Sequence, residues 1–302
     1  MAPPKRMLAL GAICTTAIFR VPEIPRPPAK VLATQRCTVV DGMAISAACA
    51  FQKLGGQAQV WARVGDDPDA HAMRRALAAE GIDPSGLFTV KGTQSSHASV
   101  IVDAQGQRLV VPFHDPQVDT SPNWLPLQDL SNVDLLHCDV RWPEGAETAL
   151  SAAHEKGVLT MVDGDVAPQA VLQRLMPLAD YAVFSDAGLL AYTGLHNVQE
   201  ALLTVAQQHS RHVGASCGED GYYWVENGQI AHVPAPRVDV VDTLAAGDVF
   251  HGAFALAMLE GQDTASAARF ACTAASLKCT RFGGRLGCPS RAEVLQALEQ
   301  TS

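Results

Sequence analysis

Short apolar runs and helix-spaced apolar stripes alternate along this chain, with turn residues between them. Met7–Ile13 predicts a buried first strand, and Pro22, Pro25, Pro27 and Pro28 mark an extended excursion ending near Lys30. Val31–Val40 alternates loosely and predicts an exposed strand. From Gly42 to Leu54 the period changes to that of a helix: Ala44, Ala47, Ala48 and Phe51 share a face, and Gly55-Gly56 stops it. Gln59–Val64 predicts a strand, and the turn 65–68 caps a helix to about Glu80. Ser96–Asp103 and Gln107–Phe113 predict a hairpin around residues 104–106.

From residue 133 the pattern settles into strand–helix units. Strands are expected at Val133–Cys138, Val158–Asp163, Tyr181–Phe184 and His212–Ser216. Helices are expected at Glu144–Lys156, Pro168–Leu175, Asp186–Tyr192 and Val198–His209. Such alternation implies a mostly parallel sheet with helices on both faces, an α/β three-layer fold. Tyr222–Glu226 and Gln229–Val233 flank Asn227-Gly228, a hairpin signal, and helices near Ala246, over Thr264–Thr280 and from Arg291 close the chain.

The most informative string is Val241-Asp242-Thr243-Leu244-Ala245-Ala246-Gly247-Asp248-Val249-Phe250. Small residues in a strand–turn–helix passage expose backbone N–H groups at the positive end of a helix, which suits an anion. Asp248 falls in the first helical turn. A carboxylate beside an anion site reads as a general base, against the plainer reading of a helix cap. The string resembles the Asp-Thr-x-Gly-Ala-Gly-Asp signature of the ribokinase-like (PfkB) carbohydrate kinases, with Ala245 for the first Gly. That resemblance implies catalytic Asp248, an anion hole from Ala245, Ala246 and Gly247, and ATP with Mg2+ as cofactors.

Phe51–Gly56, Arg63–Pro68 and Glu80–Asp83 follow the N-terminal pattern of the same family. By resemblance Gly218, Gly221, Asp242 and Lys278 contact nucleotide. A K+ site would involve Asp242, Arg281, Gly283 and Gly287, mostly through backbone carbonyls. The family also implies a lid sub-domain from about 15–40 and 96–114 over a sugar, one kinase domain across 1–302, and a homodimer through the lid.

Residues 138–142, 162–165, 184–189 and 238–285 resemble the sulfofructose kinases of this family, which phosphorylate the 1-hydroxyl of 6-deoxy-6-sulfofructose. Lys30 and Arg141 would then hold a sulfonate, and Asp41 and Gly42 the sugar. Several positions depart from the family pattern. Thr16 stands where the family has a sugar-binding Asp, Asp41 replaces the first Gly of a pair, and Pro112 replaces an Asn. Ser185 and Gly188 replace the Asn and Glu of a metal-water motif. The transfer machinery is retained and the sugar pocket altered. This leaves a kinase for another sugar, or a non-catalytic sensor of sugar or nucleotide, as alternatives.

Composition adds limits. The net charge of −9 argues against nucleic acid as partner. The 8 cysteines have no metal-like spacing and fit buried thiols in a cytoplasmic protein. Lys5 and Arg6 before the apolar run 7–19 allow a signal peptide as an alternative to the first strand, which would fit a periplasmic binding protein. That run is too short to cross a membrane, and no longer one exists.

Overall fold

The computed structural model describes residues 3–208 and 211–300. The chain opens with β1 (Arg6–Leu10), β2 (Cys14–Arg20), β3 (Gln35–Asp41), α1 (Met43–Lys53), β4 (Gln57–Val64), α2 (Pro68–Ala79) and β5 (Leu87–Thr89). It continues with β6 (His97–Val102), β7 (Arg108–Phe113), β8 (Leu135–Cys138), α3 (Pro143–Glu155), β9 (Leu159–Gly164), α4 (Gln169–Leu175) and β10 (Tyr181–Ser185). Then follow α5 (Asp186–Thr193), α6 (Val198–Ala206), β11 (His212–Ser216), β12 (Tyr222–Glu226), β13 (Gln229–Val233), α7 (Ala246–Leu259), α8 (Thr264–Cys279) and α9 (Arg291–Gln300).

Nine strands form one sheet in the order β13-β12-β11-β10-β9-β8-β1-β4-β5. Every pair from β11 to β5 is parallel, and β12 and β13 add an antiparallel edge. Strand alternation divides the core. Met7 and Ala9 of β1 face α1, α7 and α8, whereas Leu8 and Leu10 face α3 to α6. Gly252 is what lets α7 lie against α1: a Cβ there would stand 2.3 Å from the Ala47 carbonyl oxygen.

A second sheet of four strands runs β3-β2-β6-β7. Ile18, Val39, Val100 and Val102 form its core, and Leu244 and Phe282 pack against them. The small sheet therefore rests on the turn before α7. Arg108 fixes the same contact, donating from Nη1 to the carbonyl and hydroxyl oxygens of Thr243 at 2.9 Å each.

The differences from the sequence reading are local. β1 ends at Leu10, and residues 14–20 form a separate strand, because Gly11 must pass Asp139 so closely that a Cβ would clash at 2.2 Å. The second strand of the small sheet begins at Gln35 rather than Val31, because its partner β2 ends at Arg20, which pairs with Gln35. β5 is an additional short strand, paired with β4 at the sheet edge. The helix expected to reach His209 ends at Ala206, and His209 lies outside the described residues. No helix among the described residues is long and apolar enough to cross a membrane.

Candidate active site

The loops at the C-terminal ends of the parallel strands meet the start of α7. Asp242, fully buried, organises the turn. Its Oδ1 accepts from the N–H of Leu244 at 2.8 Å, and its Oδ2 from Gly283 and Gly284 at 2.9 Å each. Lys278, also fully buried, places its ammonium 3.6 Å from Oδ1 and donates to the Asp242 carbonyl. The ion pair and these hydrogen bonds clamp the turn to the loop after α8. Burial lowers the Lys278 pKa, and Asp242 works against that shift.

The turn brings Ala245 into a left-handed conformation, φ 62°. A Cβ in that region costs about 1–2 kcal/mol. The Thr243 carbonyl accepts from Ala246 N–H at 3.2 Å. The N–H groups of Ala245, Gly247 and Asp248 have no protein acceptor, as is usual in a first helical turn. Of the three anion-hole residues anticipated from the sequence, Ala246 donates its N–H to Thr243 within the turn, whereas those of Ala245 and Gly247 stay free. Gly247 faces open space, with nothing within 4 Å of a Cβ built on it.

Ala245→Gly removes the left-handed strain but loosens the unfolded chain, and the two effects oppose each other. We expect it to change stability by less than about 1 kcal/mol and to retain turnover, read by urea unfolding and a coupled ADP assay.

Asp248 is half-buried in the first turn of α7. Its pKa is pushed well above the ordinary carboxylate range, first by burial and then by the charges of Asp163, Asp41, Asp165 and Asp139. A base held this way keeps a pKa closer to neutrality, which favours proton abstraction.

Asp41 and Gly42, at the end of β3, approach Asp248 closely enough for the Asp41 charge to act on it. Asp41 Oδ1 accepts from the Ser46 hydroxyl, and its other oxygen has no protein donor. Gly42, at φ 125°, passes so close to Ala12 that a Cβ would meet its carbonyl oxygen at 2.1 Å. Thr16, almost wholly buried, has its hydroxyl 3.3 Å from Cys14 Sγ. The Cys14 thiol is pushed up to about 12, by burial first and then by Asp41.

Asp139 is a backbone organiser. Its carboxylate accepts from Ala12 at 2.8 Å, Ala44 at 3.2 Å and Arg141 at 2.8 Å. Arg141 stands half-exposed and is already partnered: Nη2 is 2.9 Å from Asp165, Nη1 donates to the Val166 carbonyl at 2.9 Å, and Nε lies 3.2 Å from Met43 Sδ. Lys30 is exposed in the excursion between Arg20 and Gln35. These residues pair with each other at the end of β2 opposite Cys14 and Asp41. Arg141 and Lys30 are not joined by any contact.

Gly218 and Gly221 follow β11. Gly218 faces open space at φ 54°, whereas a Cβ on Gly221 would stand 2.1 Å from the Val233 carbonyl oxygen. Gly221 thus serves strand packing, and Gly218 leaves the loop open. Among the residues assigned to a cation, Asp242 has both oxygens committed to the N–H groups above. The Arg281 guanidinium is paired with Glu293, away from any such role. A Cβ on Gly287 would lie 3.1 Å from the carbonyl oxygens of both Arg281 and Lys278, with Gly283 beginning the same loop. Any cation there would have to meet carbonyl oxygens.

The sequence reading missed Arg108, whose partner Thr243 lies 135 residues away. Arg285, read from the sequence only as one of a basic group at a helix end, is buried and paired in a fork with Glu80 at 2.7 and 2.9 Å. Both are unremarkable in one dimension, and only the folded chain supplies their partners.

A four-stranded sheet stands beside a nine-stranded one, and a carboxylate sits in the first turn of a helix whose first N–H groups have no protein acceptor, an arrangement suited to phosphoryl transfer. Residues 5–291 match the family model described as pfkB family carbohydrate kinase, and the chain belongs to that family. It is a sugar kinase, a phosphotransferase with an alcohol group as acceptor. The ribokinase of Bacillus subtilis is 25% identical over 296 residues, covering 97% of this chain and 99% of that protein. A fructokinase of Vibrio alginolyticus is 26% identical, over 86% of this chain and 91% of its own. A solved Agrobacterium tumefaciens structure, described provisionally as a ribokinase, superposes with a TM-score of 0.96 at 38% identity, covering 99% of each chain. Arabidopsis thaliana ribokinase, solved with ribose and ATP, shares the fold at a TM-score of 0.80 and 22% identity, over 99% of each chain.

Proposed function

We propose that this kinase transfers the γ-phosphate of ATP to a primary hydroxyl of a neutral sugar, with Asp248 as general base. One observation carries the reading. A carboxyl with a raised pKa stands beside helix-start N–H groups that have no protein acceptor. Asp248 takes the hydroxyl proton as that oxygen attacks phosphorus in line. The N–H groups of Ala245 and Gly247 receive the charge that develops on the phosphoryl oxygens. The open backbone at Gly218 leaves room for the nucleotide, and Lys278 acts through Asp242 by holding the turn. Mg2+ accompanying ATP supplies charge neutralisation at the phosphates when bound. The carbonyls beside Gly287 fit a K+ ion, which favours oxygen donors.

Asp41 supplies the sugar contact that Thr16 cannot. Its unpartnered oxygen suits a substrate hydroxyl, and the loss of one such bond costs about 1–3 kcal/mol. A sulfonated sugar is a second reading, favoured by the half-exposed Arg141 at the cleft mouth. Against it stand the Asp165 partner of Arg141 and the carboxylates around the cleft, which repel an anionic terminus.

ADP release measured with ribose, fructose, fructose 6-phosphate, sulfofructose and adenosine decides between them. We expect a neutral sugar to be turned over at least tenfold better, by kcat/KM, than either anionic sugar. A preference for sulfofructose would overturn the neutral-sugar reading in favour of Arg141 as anion holder.

The small sheet serves as the lid. Its edge strand β7 exposes Leu109, Val110, Val111 and Phe113. An apolar, unpaired edge of this kind invites pairing with a second copy, and we assign it as the homodimer surface, to be read by sedimentation. The cysteines among the described residues are all free thiols, in keeping with a reducing, cytoplasmic setting.

A further inference from the structure

Near Asp248, three side chains that the transfer reaction does not use meet inside the protein. His137 comes from the middle of β8, Asp163 from the end of β9, and His251 from α7, one turn after Asp248. One donor atom from each, a ring nitrogen of either His and a carboxylate oxygen of Asp163, lies within 4.8 Å of the other two. His251 Nε2 is 3.3 Å from Asp163 Oδ1, and the two imidazoles meet edge to face with centroids 5.5 Å apart. Their exposures are 0%, 4% and 2% for His137, Asp163 and His251.

Buried imidazoles normally have a partner for each nitrogen. Here neither nitrogen of His137 has one, and His251 Nδ1 has none. So much unmet hydrogen-bonding capacity around one carboxylate, with no Arg or Lys bonded to it, needs something to offset it.

Two neutral imidazoles and one carboxylate facing a common point are the donor set of a transition metal. Mg2+ prefers oxygen donors, so the ion that travels with a nucleotide is a poor match for this set. We propose that His137, Asp163 and His251 bind one divalent transition-metal ion of the Zn2+ class, at a site separate from the nucleotide's Mg2+. Tetrahedral ligation at about 2.0–2.1 Å puts donor atoms about 3.3 Å apart, which side-chain movements of about 1 Å would achieve here. The fourth position is left to water. Asp163, one residue before the end of β9, lies near enough to Asp248 for its charge to act on it, so the ion would enter from the Asp248 side. The ion would tie β8 and β9 to α7, the helix that carries Asp248, and so fix the height of the base above the sheet.

The full-length protein is stripped with a chelator, loaded with Zn2+ or Co2+, desalted and assayed for metal. We expect close to one Zn2+ retained per chain and visible d–d bands with Co2+. Tm should rise by about 5 °C at Zn2+ concentrations a hundredfold above Kd. His137→Gln and His251→Asn should each weaken retention at least tenfold, which separates this site from the half-buried thiols. Wild-type protein that keeps no Zn2+ and shows no Tm shift overturns the proposal, whether or not the variants fold. Stoichiometric retention in the folded double variant overturns it equally, because the metal then sits elsewhere.

Discussion

Asp248→Asn is expected to lower kcat by about 10³-fold or more, while ATP binds as before. The carboxamide keeps the size and position of the side chain but cannot accept the hydroxyl proton. The N–H groups of Ala245 and Gly247 stay in place. Steady-state ADP release and calorimetric titration with ATP separate the two effects. A kcat within tenfold of wild type would move the base elsewhere in the cleft.

The same substitution carries a pH signature. The Asp248 pKa is raised in the folded protein, by burial first and by Asp163, Asp41, Asp165 and Asp139 after it. A carboxyl whose folded pKa lies above its unfolded one gives its full stability below the unfolded value, about 4. That contribution is lost as pH rises through the folded pKa. Asn never ionises, so Asp248→Asn should match wild type in stability near pH 4 and exceed it near pH 8, as read by urea unfolding at both pH values. Wild-type kcat/KM should rise with pH on an ionisation above the ordinary carboxylate range. A flat profile from pH 5 to 8 would mean that proton removal is not limiting.

Asp242→Ala should be the most damaging change to the fold of the site. It leaves the Lys278 ammonium buried without its carboxylate, and takes the acceptor from Leu244, Gly283 and Gly284 N–H. Breaking a buried pair by removing one partner costs about 3–5 kcal/mol, here a Tm lower by about 5–8 °C. Turnover falls with it, because this clamp, together with the Thr243–Ala246 bond and Arg108, holds the left-handed passage at Ala245. Lys278→Met in the Asp242→Ala background removes the stranded charge and should recover part of the loss. Additive losses in that double variant would show that the two residues are not coupled.

How much of this was legible in one dimension follows from range. The alternation of apolar runs with helix-spaced stripes is a local property, and it carried the strand–helix order, the parallel sheet and the hairpins at 97–113 and 222–233. The signature turn is local as well: Gly247 and Asp248 fall in the first turn of α7, where small residues and a strand–turn–helix passage lead. The break between β1 and β2 was not local. It depends on Gly11 sliding past Asp139, 128 positions away, and nothing near residue 11 announces it.

The chain by itself made the class of chemistry legible, because the family signature around Asp248 needs only ten consecutive residues. The tertiary structure alone decided the state of those groups. It spent the Ala246 N–H on Thr243, gave Arg141 to Asp165, and closed the Asp242 carboxylate around two glycine N–H groups from beyond α8. It also gathered five carboxylates at one cleft, and set His137, Asp163 and His251 together beneath it. Hydrogen bonds, ion pairs and desolvation act over a few ångströms of space, whatever the separation along the chain. Partners and pKa values therefore belong to the fold, while the residue types that can use them belong to the sequence.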